Sequence, residues 1–222
     1  MNIEQARFNM IEQQIRPWDV LDQDVLNLLT VVKREDFVPA AYKNLAFVDT
    51  EIPLGGIPLG AGESMFTPKL EARILQEVGL KKHENVLEIG TGSGYMAALL
   101  AFKGRHVTTV EILPELKAMA EKNLAANGVS NVSVELGNGA QGWANGAPFD
   151  VIVISASVPV LPEAFMQQIK VGGRILAIIG DAPVMSAHLI TRVSDSAYDT
   201  IKLFETNVKP LAQATTPSQF TF

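Results

Sequence analysis

The chain has 222 residues, 47% hydrophobic and 19% charged, with a formal net charge of -6, which suits one α/β domain with a sizeable core. Lys and Arg are scattered and outnumbered by Asp and Glu, so no basic run exists to neutralise phosphates and a nucleic-acid partner is excluded. Cysteine is absent, which removes disulfides, thiolate catalysis and Cys-ligated metals; His83, His106 and His188 stand too far apart for ligand spacing, so no metal is expected.

The opening MNIEQARFNM puts acid and amide side chains where a secretory leader needs a basic start and an apolar run. The longest apolar runs, VIVI and ILAII, have the length of strands and not of membrane spans. A cytoplasmic protein without a membrane partner is the expectation. Apolar spacing predicts helices over 2–15, through Phe8, Ile11 and Ile15, and over 22–31, through Val25, Leu28, Leu29 and Val32, with RPWD as the turn between them. From Phe37 to Gly62 the period is lost and Pro and Gly accumulate (IPLGGIPLGAG), which predicts a long structured loop with short strands. Loops of that length inside a compact domain usually carry function. Thr67-Pro68 reads as a helix N-cap with Pro at the first helical position, and Leu70, Ile74 and Val78 continue that helix.

From residue 86 onward short β-branched runs alternate with helical segments. NVLEIG is followed by a helix over Tyr95 to Phe102, and HVTTVE by one over Pro114 to Ala126. NVSVEL and FDVIVIS come next, then a short helix from Pro162 to Ile169, then GGRILAIIG. This alternation predicts a mostly parallel sheet with helices on both faces. HLITRV and a run from Ile201 to Val208 follow with no helix between them, which predicts an antiparallel pair at the sheet edge. The tail AQATTPSQFTF is polar and is expected to be mobile. The organisation expected is one domain over 1–222, with N-terminal helices and an active-site loop over 1–67, a cofactor-binding core over 68–211 and a tail over 212–222.

LEIGTGSGYMAA sets Gly90, Gly92 and Gly94 between a strand and a helix, where glycine lets backbone approach a ligand and leaves helix N–H groups open. Two cofactors fit. GSGYMA satisfies a dinucleotide pattern with Glu111 at the ribose distance, and the offset E-x-G-x-G-x-G from Glu88 to Gly94 suits S-adenosyl-L-methionine. Charge favours the second: Glu88 and Glu111 are acidic, no Lys or Arg occurs between Asn85 and Phe102, and a sulfonium and an ammonium favour carboxylates where a diphosphate is repelled. The candidate cofactor residues are Glu88, Gly90, Thr91, Gly92, Ser93, Gly94, Glu111, Ile112, Asn138 and Gly139. Glu111 ends its strand, placed to accept ribose hydroxyls, the alternative being a solvated strand end. Asn138 is placed to meet an adenine edge, the alternative being that Asn138-Gly139 simply turns the chain.

MIEQQIRPWDVLDQDVLNLL and VKREDFVP resemble the N-terminal helices of the protein-L-isoaspartate O-methyltransferases, and VLEIGTGSGY, VTTVEI, GNG, PFDVIVISA and QIKVGGRILAIIG resemble that family in order and spacing over residues 7 to 211. The resemblance implies a Rossmann-like, seven-stranded sheet with one reversed strand, S-adenosyl-L-methionine as donor, and the isoaspartyl carboxylate of aged proteins as acceptor. Two departures stand out. Gly137-Asn138-Gly139 replaces the family's Gly-Asp-Gly. Ser64-Met65-Phe66-Thr67-Pro68 replaces its Thr-Ile-Ser-x-Pro, so Phe66 takes the place of a serine beside the transfer centre, and GGIPLGAG lengthens the loop upstream. Ser64 and Thr67 are the candidate substitutes for that hydroxyl. Beside this reading stand a diverged methyltransferase with another acceptor, a non-catalytic cofactor-binding module, and a dinucleotide oxidoreductase.

Overall fold

The structure, a computed structural model, describes residues 2–55 and 62–215. Most of the GGIPLGAG insertion and the end of the tail lie outside the described residues. Seven strands form the central sheet: β3 (Asn85–Ile89), β4 (His106–Glu111), β5 (Val132–Leu136), β6 (Phe149–Val158), β7 (Ile169–Asp181), β8 (Val184–Arg192) and β9 (Tyr198–Thr206). Their order is β5-β4-β3-β6-β7-β8-β9, parallel from β5 to β7. β8 alone runs against the rest, antiparallel to both β7 and β9, so the expected antiparallel edge pair and single reversed strand are both present.

Alternation along the central strands explains why helices cover both faces. On β6, Val151 and Val153 enter one core cluster and Ile152 and Ile154 the other; on β7, Leu176 and Ile178 divide from Ile175 and Ala177 in the same way. The first cluster is filled from α2 (Gln23–Val31), α3 (Pro68–Val78) and α4 (Tyr95–Lys103), with α5 (Pro114–Ala126) adding Leu116 and Leu124. The second is closed by Phe165 of α6 (Glu163–Gln168). No helix among the described residues is long and apolar enough to cross a membrane.

The N-terminal segment departs from its predicted pattern. α1 (Ile3–Met10) runs into a π-helical turn, Ile11–Ile15, and a 3-10 turn, Arg16–Trp18. Ile11 and Ile15 are buried as expected, but Phe8 is 59% exposed. Arg7 takes the inner position instead, because it pairs with Glu35 in the interior.

Two very short strands matter for the site. β1 (Ile52–Pro53) pairs antiparallel with β2 (Ser64–Met65), matching Ile52 with Met65 and Pro53 with Ser64. Leu54 N–H also donates to the Glu63 carbonyl at 2.8 Å. The long loop is thereby stapled at its base, which brings Glu51 and Leu54 beside Glu63, Ser64 and Phe66. β7 begins at Ile169, three residues before the glycine pair that was expected to open it, because α6 passes directly into the strand.

Candidate active site

The chain leaves β3 for β4 and β5 on one side, then crosses to β6 on the other. Ligands in open α/β sheets bind at such a reversal, outside the carboxyl ends of the strands. A cleft open to solvent lies there. Its floor is Ile89 and Gly90 after β3, Val110 to Ile112 at the end of β4, Gly137 to Ala140 after β5, and Ser155 and Ala156 of β6. The register slips between Val153 and Ser157 on the β6–β7 ladder, and that irregularity contains Ser155 and Ala156 of the cleft floor.

Glu111 is the best-defined polar group in it. Oε2 accepts from Gly92 N–H at 2.9 Å and Oε1 from Leu113 N–H at 3.0 Å, so the carboxylate is fixed in plane while each oxygen keeps a free lone pair. A pair of vicinal hydroxyls, as on a ribose, is the natural donor set for two such oxygens. The apolar neighbours Ile89, Val110, Ile112 and Leu116 supply walls for a flat heterocycle. The residues therefore fit an adenosine, and the solvated-strand-end alternative for Glu111 does not describe this carboxylate, which is 5% exposed.

Glu88 behaves differently from its expected role. It is fully buried beneath the glycine loop, accepting from Thr109 Oγ1 at 2.7 Å and Ser155 Oγ at 2.9 Å, and it lines a smaller inner cavity rather than the main cleft. Burial, with the nearby charges of Glu111 and Glu71, pushes its carboxyl up to about 8 against the pull of the two hydroxyls. The acidic attraction for a cationic nucleoside thus rests on Glu111, with Glu88 neutral at pH 7. A group whose folded pKa lies above its ordinary value keeps its proton longer in the folded state. The stability it confers is complete below about pH 4.5 and is lost as pH rises through 8. Urea midpoints measured across that window should fall with a slope contribution of up to about 1.4 kcal/mol per pH unit. Glu88→Gln should flatten the profile; an unchanged slope would show that Glu88 is ionised throughout.

The other expected cofactor residues divide. Gly90, Gly92, Ile112, Asn138 and Gly139 line the main cleft; Thr91 and Ser93 line the inner cavity, with Thr91 Oγ1 2.7 Å from Thr109 Oγ1. Gly94 lines neither. It has φ +84° and a Cβ there would meet Ala120 at 3.2 Å and Leu124 at 3.3 Å, so its glycine is needed for packing against α5. Gly139 is likewise held to glycine by its neighbours, since a Cβ would come 2.7 Å from Ile89 Cδ1. Asn138 makes the contacts of the turn alternative, its Oδ1 accepting from Ala140 N–H at 2.9 Å and its Nδ2 donating to Gln213 at 2.8 Å, and it keeps one lone pair and one N–H beyond these.

Of the two candidate hydroxyls, Ser64 lines the cleft and Thr67 does not. Thr67 is the N-cap of α3 with extended backbone and Pro68 behind it, though its side chain makes no capping hydrogen bond. Ser64 Oγ donates to Glu51 Oε2 at 3.0 Å. Phe66 lines both the cleft and the inner cavity, and its carbonyl accepts from Arg34 Nη2 at 2.7 Å.

A model of the family described as protein-L-isoaspartate (D-aspartate) O-methyltransferase matches residues 5–214. The chain belongs to that family. It is 36% identical over 211 residues to the protein-L-isoaspartate O-methyltransferase 2 of Marinobacter nauticus, covering 95% of this chain and 94% of that one. It is 38% identical over 205 residues to the corresponding protein of Koribacter versatilis, covering 92% and 90%. A solved protein-L-isoaspartate O-methyltransferase superposes with a TM-score of 0.77 at 27% identity, over 92% of this chain and 65% of that longer one. A Plasmodium falciparum structure in complex with S-adenosyl-L-homocysteine shares the fold, with a TM-score of 0.76 at 19% identity over 96% and 99% of the two chains. S-adenosyl-L-methionine is this family's methyl donor and the chain is an O-methyltransferase, which sets aside the dinucleotide reading.

For this family member, sequence reasoning overlooked the far wall of the cleft. Glu51, Glu63 and the strap Lys209 to Ala212 line it. The strap is tied to β6: Ser157 N–H donates to the Lys209 carbonyl at 3.0 Å, Ser157 Oγ to the Val208 carbonyl at 3.1 Å, and Leu211 N–H to the Ser157 carbonyl at 2.7 Å. Gln213 and Thr215 extend it through Asn138 and Gln141, so the tail expected to be mobile from 212 onward is anchored as far as the described residues reach.

Proposed function

We propose that this chain methylates the isoaspartyl carboxylate of aged proteins in the cytoplasm, with S-adenosyl-L-methionine held at the end of β4. The observation that carries this reading is the Glu111 carboxylate, fixed by Gly92 and Leu113 with a lone pair left on each oxygen, in the lining of the cleft of a member of this family. Glu111 would hold the ribose, Gly90, Gly92 and Ile112 would line the nucleoside, and Ser64 and Phe66 would face the acceptor. The donor, when bound, supplies an electrophilic methyl group on a sulfonium.

The acceptor needs no general base. An aspartyl-type carboxylate has an ordinary pKa near ~4 and is already ionised at neutral pH. The protein's work is to hold that oxygen in line and dry, an effect that can supply roughly 7–11 kcal/mol. Phe66 contributes an apolar wall, which strips water from the acceptor oxygen without donating to it. A missing neutral hydroxyl donor costs about 0.5–1.5 kcal/mol, up to about tenfold in rate. The wild-type chain should therefore form base-labile methyl esters on an isoaspartyl peptide and none on its aspartyl isomer, with Phe66→Ser changing kcat no more than about tenfold. Labelled methyl counted from the two peptides decides the matter, and no transfer to the isoaspartyl peptide despite cofactor binding would refute it.

One observation favours a second reading, in which the acceptor is not a carboxylate. Glu51 and Glu63 both line the acceptor side of the cleft, where they oppose an anion. Isoaspartyl activity present only in Phe66→Ser would support this alternative.

A further inference from the structure

The two carboxylates at the mouth pose a definite electrostatic question: what balances the charge of an anionic acceptor there? Ser64 does not, because its hydroxyl proton is directed to Glu51 Oε2. Ser155, on the floor, spends its proton on Glu88. Asn138 spends one amide proton on Gln213 and, being neutral, brings no charge with the other. Phe66 has none to give. Among the described residues lining the cleft there is one cation, Lys209, against three carboxylates, Glu51, Glu63 and Glu111. The stretches 56–61 and 216–222 contain no Lys or Arg at all.

We propose that Lys209 is a specificity-determining residue that receives the acceptor carboxylate, taking over the task that a hydroxyl at position 66 would otherwise perform. The inference rests on the isoaspartyl reading above and adds the group that recognises the acceptor. The lysine's backbone is fixed while its head is not. Its carbonyl is held by Ser157 N–H, and Val208 before it and Leu211 two residues after it bond to Ser157 as well. Its ammonium reaches 3.2 Å to Glu63 Oε1, with 42% of the lysine side chain and 43% of the glutamate exposed. Such a half-exposed ion pair contributes little by itself, so exchanging Glu63 for an incoming carboxylate costs little. An ammonium has three donors, and one is engaged here. In the cleft, screened by Phe66 and the strap, a charge-assisted bond to the acceptor is stronger than the exposed pair it replaces. Glu63 and Glu51 then act as a filter: an acceptor lacking the negative charge gains nothing from Lys209, and a charged one depends on it.

The test compares two fluorescently labelled peptides binding to the full chain saturated with S-adenosylhomocysteine. One carries an isoaspartyl residue and the other its isoasparaginyl twin, in which the acceptor carboxylate is a neutral amide. Wild type should prefer the carboxylate peptide by about tenfold, the low end for a bond to a charged group. Lys209→Met should abolish that preference by weakening the carboxylate peptide alone, Lys209→Arg should retain it, and S-adenosylhomocysteine affinity should stay within about twofold throughout. If Lys209→Met keeps the preference, or weakens both peptides equally, the proposal is overturned while wild-type methylation of the isoaspartyl peptide leaves the functional reading standing. If wild type neither binds nor methylates the isoaspartyl peptide, both fall together.

Discussion

Glu111→Ala should weaken S-adenosylhomocysteine binding by roughly 100-fold, about 3 kcal/mol, read by titration calorimetry. In the proposed cofactor site the carboxylate receives both ribose hydroxyls, and hydrogen bonds to a charged acceptor are worth about 1.5–3 kcal/mol each. Part of the loss is local. Gly92 and Leu113 both donate to this side chain, so its removal frees two N–H groups in the glycine loop and at the entrance of α5. Glu111→Gln provides the sharper comparison. The protein already presents one donor to each oxygen, so an amide nitrogen placed at either position faces an N–H instead of an acceptor. The amide should therefore behave nearer to alanine than its shape suggests, losing more than tenfold. A Glu111→Ala protein that folds normally and binds within about threefold of wild type would remove the residue from the cofactor site.

The contrast between Glu111 and Glu88 shows what a one-dimensional reading reaches. Both are acidic residues near the end of a strand beside the glycine loop, and both were expected to face the cofactor. Glu111 is the last residue of β4 and projects into the cleft, a position that strand length alone determines. Glu88 sits one residue before the end of β3, an interior strand, where Thr109 of β4 and Ser155 of β6 close over it from both sides. Which neighbours flank β3 is a matter of topology, and the β6 neighbour comes from 67 positions further along the chain. Regular elements were legible for the converse reason. α5 begins at Pro114 and β4 spans HVTTVE because proline at N1 and alternating β-branched residues act locally. The acceptor side was opaque: Glu63 and Lys209 meet across 146 residues, and nothing in either segment announces the other. Ser64 shows the same limit. Its place in the cleft was legible from the family resemblance, but its bond to Glu51, which removes it as a donor, was not.

Arg34→Met should destabilise the protein by about 3–5 kcal/mol, the usual result of breaking a buried ion pair from one side. VKREDFVP marks the family in the sequence without revealing why its arginine is there. In the structure the guanidinium is 1% exposed and ties three segments together. Nε donates to Glu71 Oε2 of α3 at 2.9 Å, Nη1 to the Ala46 carbonyl at 2.8 Å, and Nη2 to the Phe66 carbonyl at 2.7 Å. Burial lifts the Glu71 carboxyl to about 7 against the pull of Arg34, so without the arginine Glu71 either stays charged and unpaired or takes up a proton. Two backbone carbonyls lose their donors as well, one of them on Phe66, which lines the cleft. The variant should therefore lose kcat/KM for the isoaspartyl peptide at temperatures where it remains folded. Arg34→Met combined with Glu71→Leu removes the stranded acid, and the pair should recover part of the stability but little of the activity, since the Phe66 carbonyl remains unheld. Urea unfolding of the three variants checks the first claim. A loss below about 1 kcal/mol for Arg34→Met would mean that the loop carrying Phe66 is positioned by its β1–β2 staple alone.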